Sequence, residues 1–313
     1  MLRFVGRRLA SGAILVVVMS GLAYILLYAG GSGIARRILG DEASAETVAQ
    51  KTSELGLDRP LIVQLGDWLI NAGTGDFGRS WFTGQPVTTA ILSRTAATLA
   101  IVLAATLVTA IVSAILGVLA ATRGGWADRI VQFFSLLSSA VPGFLTALGL
   151  VLVFAIQWRL FPPTGYIDPS RSFGGWLASI TLPVIALSLG GIAAVTQQVR
   201  GSMLDALRQD YVRTLRSRGL SSARVVYKHV LRNAAGPALA VLGVQVAALL
   251  GGAVVIEQVF AIPGLGQVAV AATAQGDIPL VMGLVVATGI LVVVLNLAID
   301  LLQAWLNPKV RLS

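Results

Sequence analysis

The stretch DYVRTLRSRGLSSARVVYKHVLRN, residues 210–233, holds the chain's densest set of functional groups. It carries Arg213, Arg216, Arg218, Arg224, Lys228 and Arg232, together with the only histidine, His229. Such a set can bind anions, an acidic protein face or anionic lipid. The groups that catalysis needs are missing. No Gly-Lys dipeptide occurs, so there is no G-x-x-x-x-G-K-[ST] phosphate loop. With no cysteine and one histidine, a zinc site would need carboxylates gathered from distant segments. No G-x-S-x-G nucleophile motif is present. The chain reads as a non-enzyme with no catalytic residue, no metal site, no cofactor and no nucleotide site of its own.

The elements that must position this stretch are apolar. The chain has 313 residues, 56% hydrophobic and only 12% charged, whereas a soluble domain carries about 25% charged residues. Charge is absent from residues 9–35, 95–122, 130–158, 172–199, 233–256 and 278–299. Each run reaches the roughly 20 apolar residues that cross a bilayer core. Their backbone groups must bond within the segment, which calls for helices, and the runs lack the alternation of a spanning strand. The expectation is an all-α integral membrane protein with six transmembrane helices. The first run is too long for the core of a cleaved signal peptide and reads as a retained anchor.

The net charge of +9 does not require nucleic acid. With the N-terminus placed in the cytoplasm, and the span-end Glu257 and Asp300 set aside, that side holds 15 Lys and Arg against Asp128, Asp205 and Asp210, while the other holds eight against nine acids. This is the positive-inside pattern, and it puts both termini in the cytoplasm. No charge lies in the middle of a run. Glu257 and Asp300 fall at the ends of theirs, within reach of an interface, so coupling to an ion gradient is disfavoured.

Residues 36–94 form an extracytoplasmic segment with two amphipathic patterns, near 46–55 and 61–70, followed by the glycine-dense loop NAGTGDFGRSW. Trp158, Tyr166 and Trp176 suit a membrane–water interface. Within the basic stretch, Tyr211, Val212 and Leu215 share one side of a helix and Arg213, Arg216 and Ser217 the other. Gly219 stands where a helix C-terminal glycine belongs, and Ser221 can cap a second helix through Tyr227, His229 and Leu231. A topology signal, a lipid-binding surface and a protein-docking site all fit the charge. The two-helix shape favours docking, because topology needs charge but no shape.

RQDYVRTLRSRGLSSARVVYKHVLRNA resembles the signature cytoplasmic loop of the permease subunits of bacterial ATP-binding-cassette importers, in the dipeptide/oligopeptide/nickel class. LGLDRPLIVQLGDWL with GDFGRSW is similar to that family's first outer segment, and GGAVVIEQVFAIPGLGQ with GDIPLV to the region between its last two spans. The resemblance covers nearly the whole chain. It implies a type I ABC importer permease fold in a bacterial inner membrane. The parts would be an N-terminal helix 1–35, an outer segment 36–94, a permease domain 95–304 with a coupling loop at 200–233, and a cytoplasmic tail 305–313.

The resemblance also implies partners. These are a second homologous permease, two cytoplasmic ATPase subunits that bind ATP and Mg, an extracytoplasmic binding protein and membrane lipid, with no nucleic acid. The coupling helix would fall on 210–220, placing Asp210, Tyr211, Val212, Arg213, Thr214, Arg216, Gly219 and Leu220 in or beside the ATPase groove. The superfamily's Glu-Ala-Ala is here Arg213-Thr214-Leu215, so a salt bridge from a first-place Glu does not carry over. Short peptides are the implied cargo, with nickel chelates, glutathione-like peptides or oligosaccharides as alternatives. An ATP-independent secondary carrier or a membrane scaffold is the remote alternative. The sequence does not name the path-lining residues.

Overall fold

A computed structural model describes residues 2–29 and 33–306. Of the tail expected at 305–313, residues 307–313 lie outside the described residues. The described residues contain no β-strand, only an isolated bridge between Arg79 and Pro86. The helices in chain order are α1 (Leu2–Ala29), α2 (Ile34–Leu39), α3 (Ala45–Glu54), α4 (Leu61–Gly73), α5 (Val87–Arg123), α6 (Gly125–Ala140) and α7 (Gly143–Leu150). Then follow α8 (Phe173–Leu207), α9 (Asp210–Ser217), α10 (Ser222–Arg224), α11 (Leu231–Val259), α12 (Leu265–Gln275) and α13 (Ile278–Leu306). A π-helical segment, Val151–Gln157, extends α7, and another, Val225–Val230, joins α10 to α11.

Five continuous helices are long and apolar enough to span a membrane, and a sixth span exists if the bent pair α6–α7 counts as one. The run 130–158 is therefore not the straight helix its composition suggests. It bends by 101° between Ala140 and Gly143. The cause is Pro142. It has no N–H to continue the ladder and pushes the residue before it out of the helical region; Val141 is extended, at φ −91° and ψ 122°. Hydropathy cannot register such a break, because Val-Pro is as uncharged as what flanks it. The second correction concerns residues 221–231. They are not a separate short helix but the start of the span that continues to Val259.

The chain divides into two compact units. One comprises residues 98–262 with the start and end of the chain. Its centre is α8 against α11, α6 and α7. Glycines permit the close crossings: a Cβ on Gly252 would stand 3.1 Å from Leu187, one on Gly191 3.2 Å from Thr109, and one on Gly117 2.6 Å from Val199. Neighbouring Gly190 and Gly251 face open space. On α5, Leu103, Leu107, Ile111 and Ile115 make an exposed stripe while Ile101, Val102 and Ala105 are buried. That inside-out distribution suits a helix with lipid or a partner span beside it.

Glu257 overturns the expectation that it reaches an interface. It is fully buried, and the Thr98 hydroxyl donates to its carboxyl at 2.6 Å. Nearby, Gly165 N–H donates to the Phe260 carbonyl at 2.7 Å, tying the 158–172 loop to the end of α11. Within that loop region Trp176 Nε1 donates to the Tyr166 hydroxyl at 3.1 Å.

The other unit comprises residues 6–97 and 263–293. Here the segment expected at 36–94 folds into short helices and a turn-rich loop. α3 and α4 match the two amphipathic patterns, and Gly75 and Gly78 turn the loop with φ of 89° and 76°. Tyr24 donates to Gln64 across α1 and α4, at 2.9 Å. The central tie is Asp277. Its buried carboxyl accepts from the Ser80 hydroxyl at 2.5 Å, from Trp81 N–H at 3.2 Å and from Leu280 N–H at 3.4 Å. The last of these caps α13. Ser80 Oγ in turn accepts from Phe82 and Thr83 N–H. One carboxyl thus starts a span and pins the loop before α5. Asp277→Ala strands these donors, at about 1–3 kcal/mol for a buried donor left unpaired. The expected result is faster amide exchange at Trp81, Phe82 and Thr83, read by hydrogen–deuterium mass spectrometry.

Candidate docking helix and the cavity beside it

α9 follows α8 after two turn residues, Arg208 and Gln209. Eight residues are too few for a helix to hold itself in water, so packing must fix it. Val212 does so. It is 1% exposed and sits in a cluster with Val195, Val199 and Met203 of α8, Val225 and Val230 of the π-helical segment, and Ala234 and Ala238 of α11. Tyr211, Leu215 and Leu220 pack around this cluster. Burying one valine contributes about 1.5–3 kcal/mol. The side chains of Asp210, Arg213, Thr214, Arg216, Ser217 and Arg218 remain exposed. The helix therefore shows solvent a polar, mostly cationic ridge on an apolar root, as its spacing predicts.

The helix ends in a full Schellman motif. Gly219 N–H donates to the Arg216 carbonyl at 2.9 Å and Leu220 N–H to the Leu215 carbonyl at 3.3 Å. The geometry needs φ of +78° at Gly219. Ser221 then caps the next helix, accepting from Arg224 N–H at 3.4 Å. The structure thus brings five of the eight expected site residues, Asp210, Arg213, Thr214, Arg216 and Gly219, to one exposed surface. Tyr211, Val212 and Leu220 are placed differently: they pack on or within the buried cluster that roots the helix. Leu215 has the same inward role, which accounts for a large apolar residue at a place where a groove contact would take a small one. His229 is part-buried against the same base.

The base beneath α9 is locked by a pair that sequence reading missed. Arg200 grips Asp128 with two hydrogen bonds, from Nε to Oδ1 and, at 2.7 Å, from Nη2 to Oδ2. Gln132 adds a third to Asp128 at 2.9 Å. Such bidentate pairs fix orientation as well as distance. Asp128 lies in the first turn of α6, where a negative group is favourable. The pair joins α6 to α8, which runs directly into α9. Its partners are 72 residues apart in sequence, and no local signal marks them.

At the other end of α6 the bend opens a cavity of about 320 Å³, lined by α6, α7, α8 and α11. Gln245, midway along α11, faces it. A carboxamide at the centre of an uncharged run was the sequence signal for this place.

These features define a multi-pass membrane protein that carries a short helix with an apolar root and an exposed, mostly cationic face. The family described as binding-protein-dependent transport system inner membrane component matches residues 113–312, and the family of its N-terminal region matches residues 1–102. The chain belongs to this family: it is a permease, a multi-pass inner-membrane transport subunit that works with other ABC importer components. It is 39% identical over 306 residues to a Brucella abortus protein assigned as a permease to a peptide transport system, covering 97% of this chain and 98% of that one. It is 32% identical over 315 residues to the oligopeptide transport system permease protein AppB of Bacillus subtilis, covering 99% and 100%. The glutathione transport system permease protein GsiC of Shigella flexneri is also 32% identical, over 312 residues, with 99% of both chains covered. The inward-facing MetNI methionine ABC transporter shares the fold, with a TM-score of 0.55 at 16% identity over 70% of this chain and 97% of that one. This is the type I ABC importer permease fold.

Two substitutions test the local account. Gly219→Val forces a β-branched residue into the left-handed region, at about 1–2 kcal/mol or more, and breaks the Schellman turn. Membrane insertion is expected to persist while transport is abolished. Tyr211→Phe removes a buried hydroxyl with no hydrogen-bond partner among the described residues. It is expected to leave thermal stability unchanged or slightly higher, measured by the melting temperature in detergent.

Proposed function

We propose that this chain is one of two permeases in an ATP-driven, binding-protein-dependent importer of short peptides. Each permease forms half of the path. An extracytoplasmic protein delivers the cargo, and two cytoplasmic ATPase subunits, which bind ATP and Mg, dock on α9. Both termini lie in the cytoplasm, residues 36–94 cap the outer face, and 95–304 form the translocation domain with 200–233 as its coupling loop. The cargo assignment rests on the peptide transport systems to which full-length relatives belong. A second reading keeps the machine and changes the cargo, since other relatives serve glutathione and metal-staphylopine import.

The observation that carries the coupling role is the two-faced α9. Its apolar side is rooted among α8, α11 and the π-helical segment, and its polar side is free. A force applied to the polar side is passed to α8 through Val212 and to α6 through Arg200 and Asp128. Close packing makes this base move as a body instead of deforming. ATP closing its two subunits draws the two α9 helices together, and the spans follow from inward- to outward-open. An effector shifts such an equilibrium only by contacting the two states differently, and α9 is where those contacts lie.

Affinity purification of the tagged chain under mild detergent, with mass spectrometry, is expected to recover a second permease, ATPase subunits and a binding protein holding a short peptide. The chain stripped of its partners is expected to hydrolyse no ATP. Turnover by the isolated chain, or transport that follows an ion gradient and ignores ATP depletion, contradicts the proposal.

A further inference from the structure

The cavity at the α6–α7 bend has an unusual chemistry for its setting. Many hydroxyls in these spans turn back to a carbonyl of their own helix, though not all: Thr109 and Ser113 donate to carbonyls of α8, and the buried hydroxyls of Ser20 and Thr196 have no partner among the described residues. Thr106 donates to Val102, Thr122 to Val118, Thr181 to Leu177 and Thr288 to Leu284, all at 2.6–2.8 Å. Three polar side chains lining the cavity do not. Ser138 of α6, Thr146 of α7 and Gln245 of α11 make no side-chain hydrogen bond among the described residues. They come from three different helices and converge on one space of about 320 Å³, at the low end of the 300–1,000 Å³ typical of small-molecule sites. The rest of the lining is apolar or glycine, including Val141, Gly143, Gly190 and Gly252, and no Asp, Glu, Lys or Arg takes part.

The backbone explains why this space must be wet. Interrupting a helix at Val141-Pro142 leaves the first amides of α7, at Gly143 and Phe144, without an intrahelical acceptor. Broken backbone at membrane depth is stable only where it is buried in protein or lines a water-filled space. Unpartnered hydroxyls and a carboxamide carry the same cost when dry. The cavity is therefore suited to water or a polar solute.

We infer that Gln245, Thr146 and Ser138 form this permease's half of a transit site that holds a peptide by its backbone amides. The inference rests on the peptide-import reading above and adds the residues and the recognition chemistry. A carboxamide and a hydroxyl each both donate and accept, matching the N–H and C=O of a peptide bond. No formal charge is present to select for or against a peptide's side chains or to trap its termini. Contacts of this kind are weak enough to release, as a path requires. The site passes peptides by backbone and leaves selection to the binding protein.

The chain has no cysteine, which makes the test clean. Gln245→Cys is assembled with the full transporter in proteoliposomes. It is then modified with a thiosulfonate reagent that adds either a sulfonate or an ammonium group. Uptake of acidic, neutral and basic dipeptides is compared with that of the wild-type complex treated with the same reagent, so that the binding protein's own preference and any labelling of partner subunits cancel. The sulfonate is expected to depress acidic dipeptides about tenfold more than basic ones, and the ammonium to reverse that order. Excess dipeptide-loaded binding protein is expected to slow labelling. Failure of the cysteine to label, or equal losses for all three peptides with both reagents, overturns the inference. Gln245→Glu gives the acidic arm without chemistry and carries the same criterion. If wild type moves no dipeptide while the cysteine still labels readily, the cargo reading has failed and the wet cavity has not.

Discussion

Every backbone N–H and C=O inside a bilayer must find a partner within the protein, because lipid supplies none. This constraint shapes the chain more than any side-chain contact. It forces the uncharged runs into helices and moves the charges to their ends, where the helices give way to loops. It also gives meaning to the place where, among the described residues, a span is broken. Pro142 stops α6, Val141 turns extended, and α7 leaves at 101°. The amides freed there must be met by something other than lipid, and a cavity lies beside them.

The second organising feature is how the two ends of α6 are used. One end is clamped to α8 through Asp128 and Arg200, on the base that carries α9. The other ends at the bend and the cavity. A single helix thus links the base of α9 to the cavity. Close crossings at Gly117, Gly191 and Gly252 leave no slack among α5, α8 and α11, so displacement of α9 has a rigid route inward. Elsewhere, buried carboxyls do a different task. Asp277 starts α13 and pins the loop before α5, while Glu257 is held by Thr98 near the C-terminal end of α11.

Much of this was legible in the sequence. Five of the six uncharged runs mark continuous spans, because desolvated charge is too costly to hide, and the sixth marks the bent pair α6–α7. The two faces of α9, the glycine at its C-terminus and the Ser221 cap follow from helical period and from φ at a chain reversal; all are local. The bend was not legible, because proline is tolerated inside spans: Pro183 and Pro237 both sit within continuous helices. Only tertiary packing decides which proline breaks the chain. The Asp128–Arg200 clamp, the burial of Glu257 and the union of Ser138, Thr146 and Gln245 join residues far apart in sequence, and nothing in their neighbours' periodicity announces them. Leu215 was a puzzle as a groove contact and is plain as a root of the helix.

The central claim is that α9 is where partner subunits deliver their work. The direct measurement is site-specific cross-linking in the assembled complex, with Arg216→Cys or Arg213→Cys in this cysteine-free chain and a short bifunctional reagent. The expected result is a covalent product with an ATPase subunit from both positions, whose yield changes on adding ATP, and no such product from Ile62→Cys in α4. Cross-links from α9 that never reach an ATPase, or an equal yield from Ile62, would contradict the account.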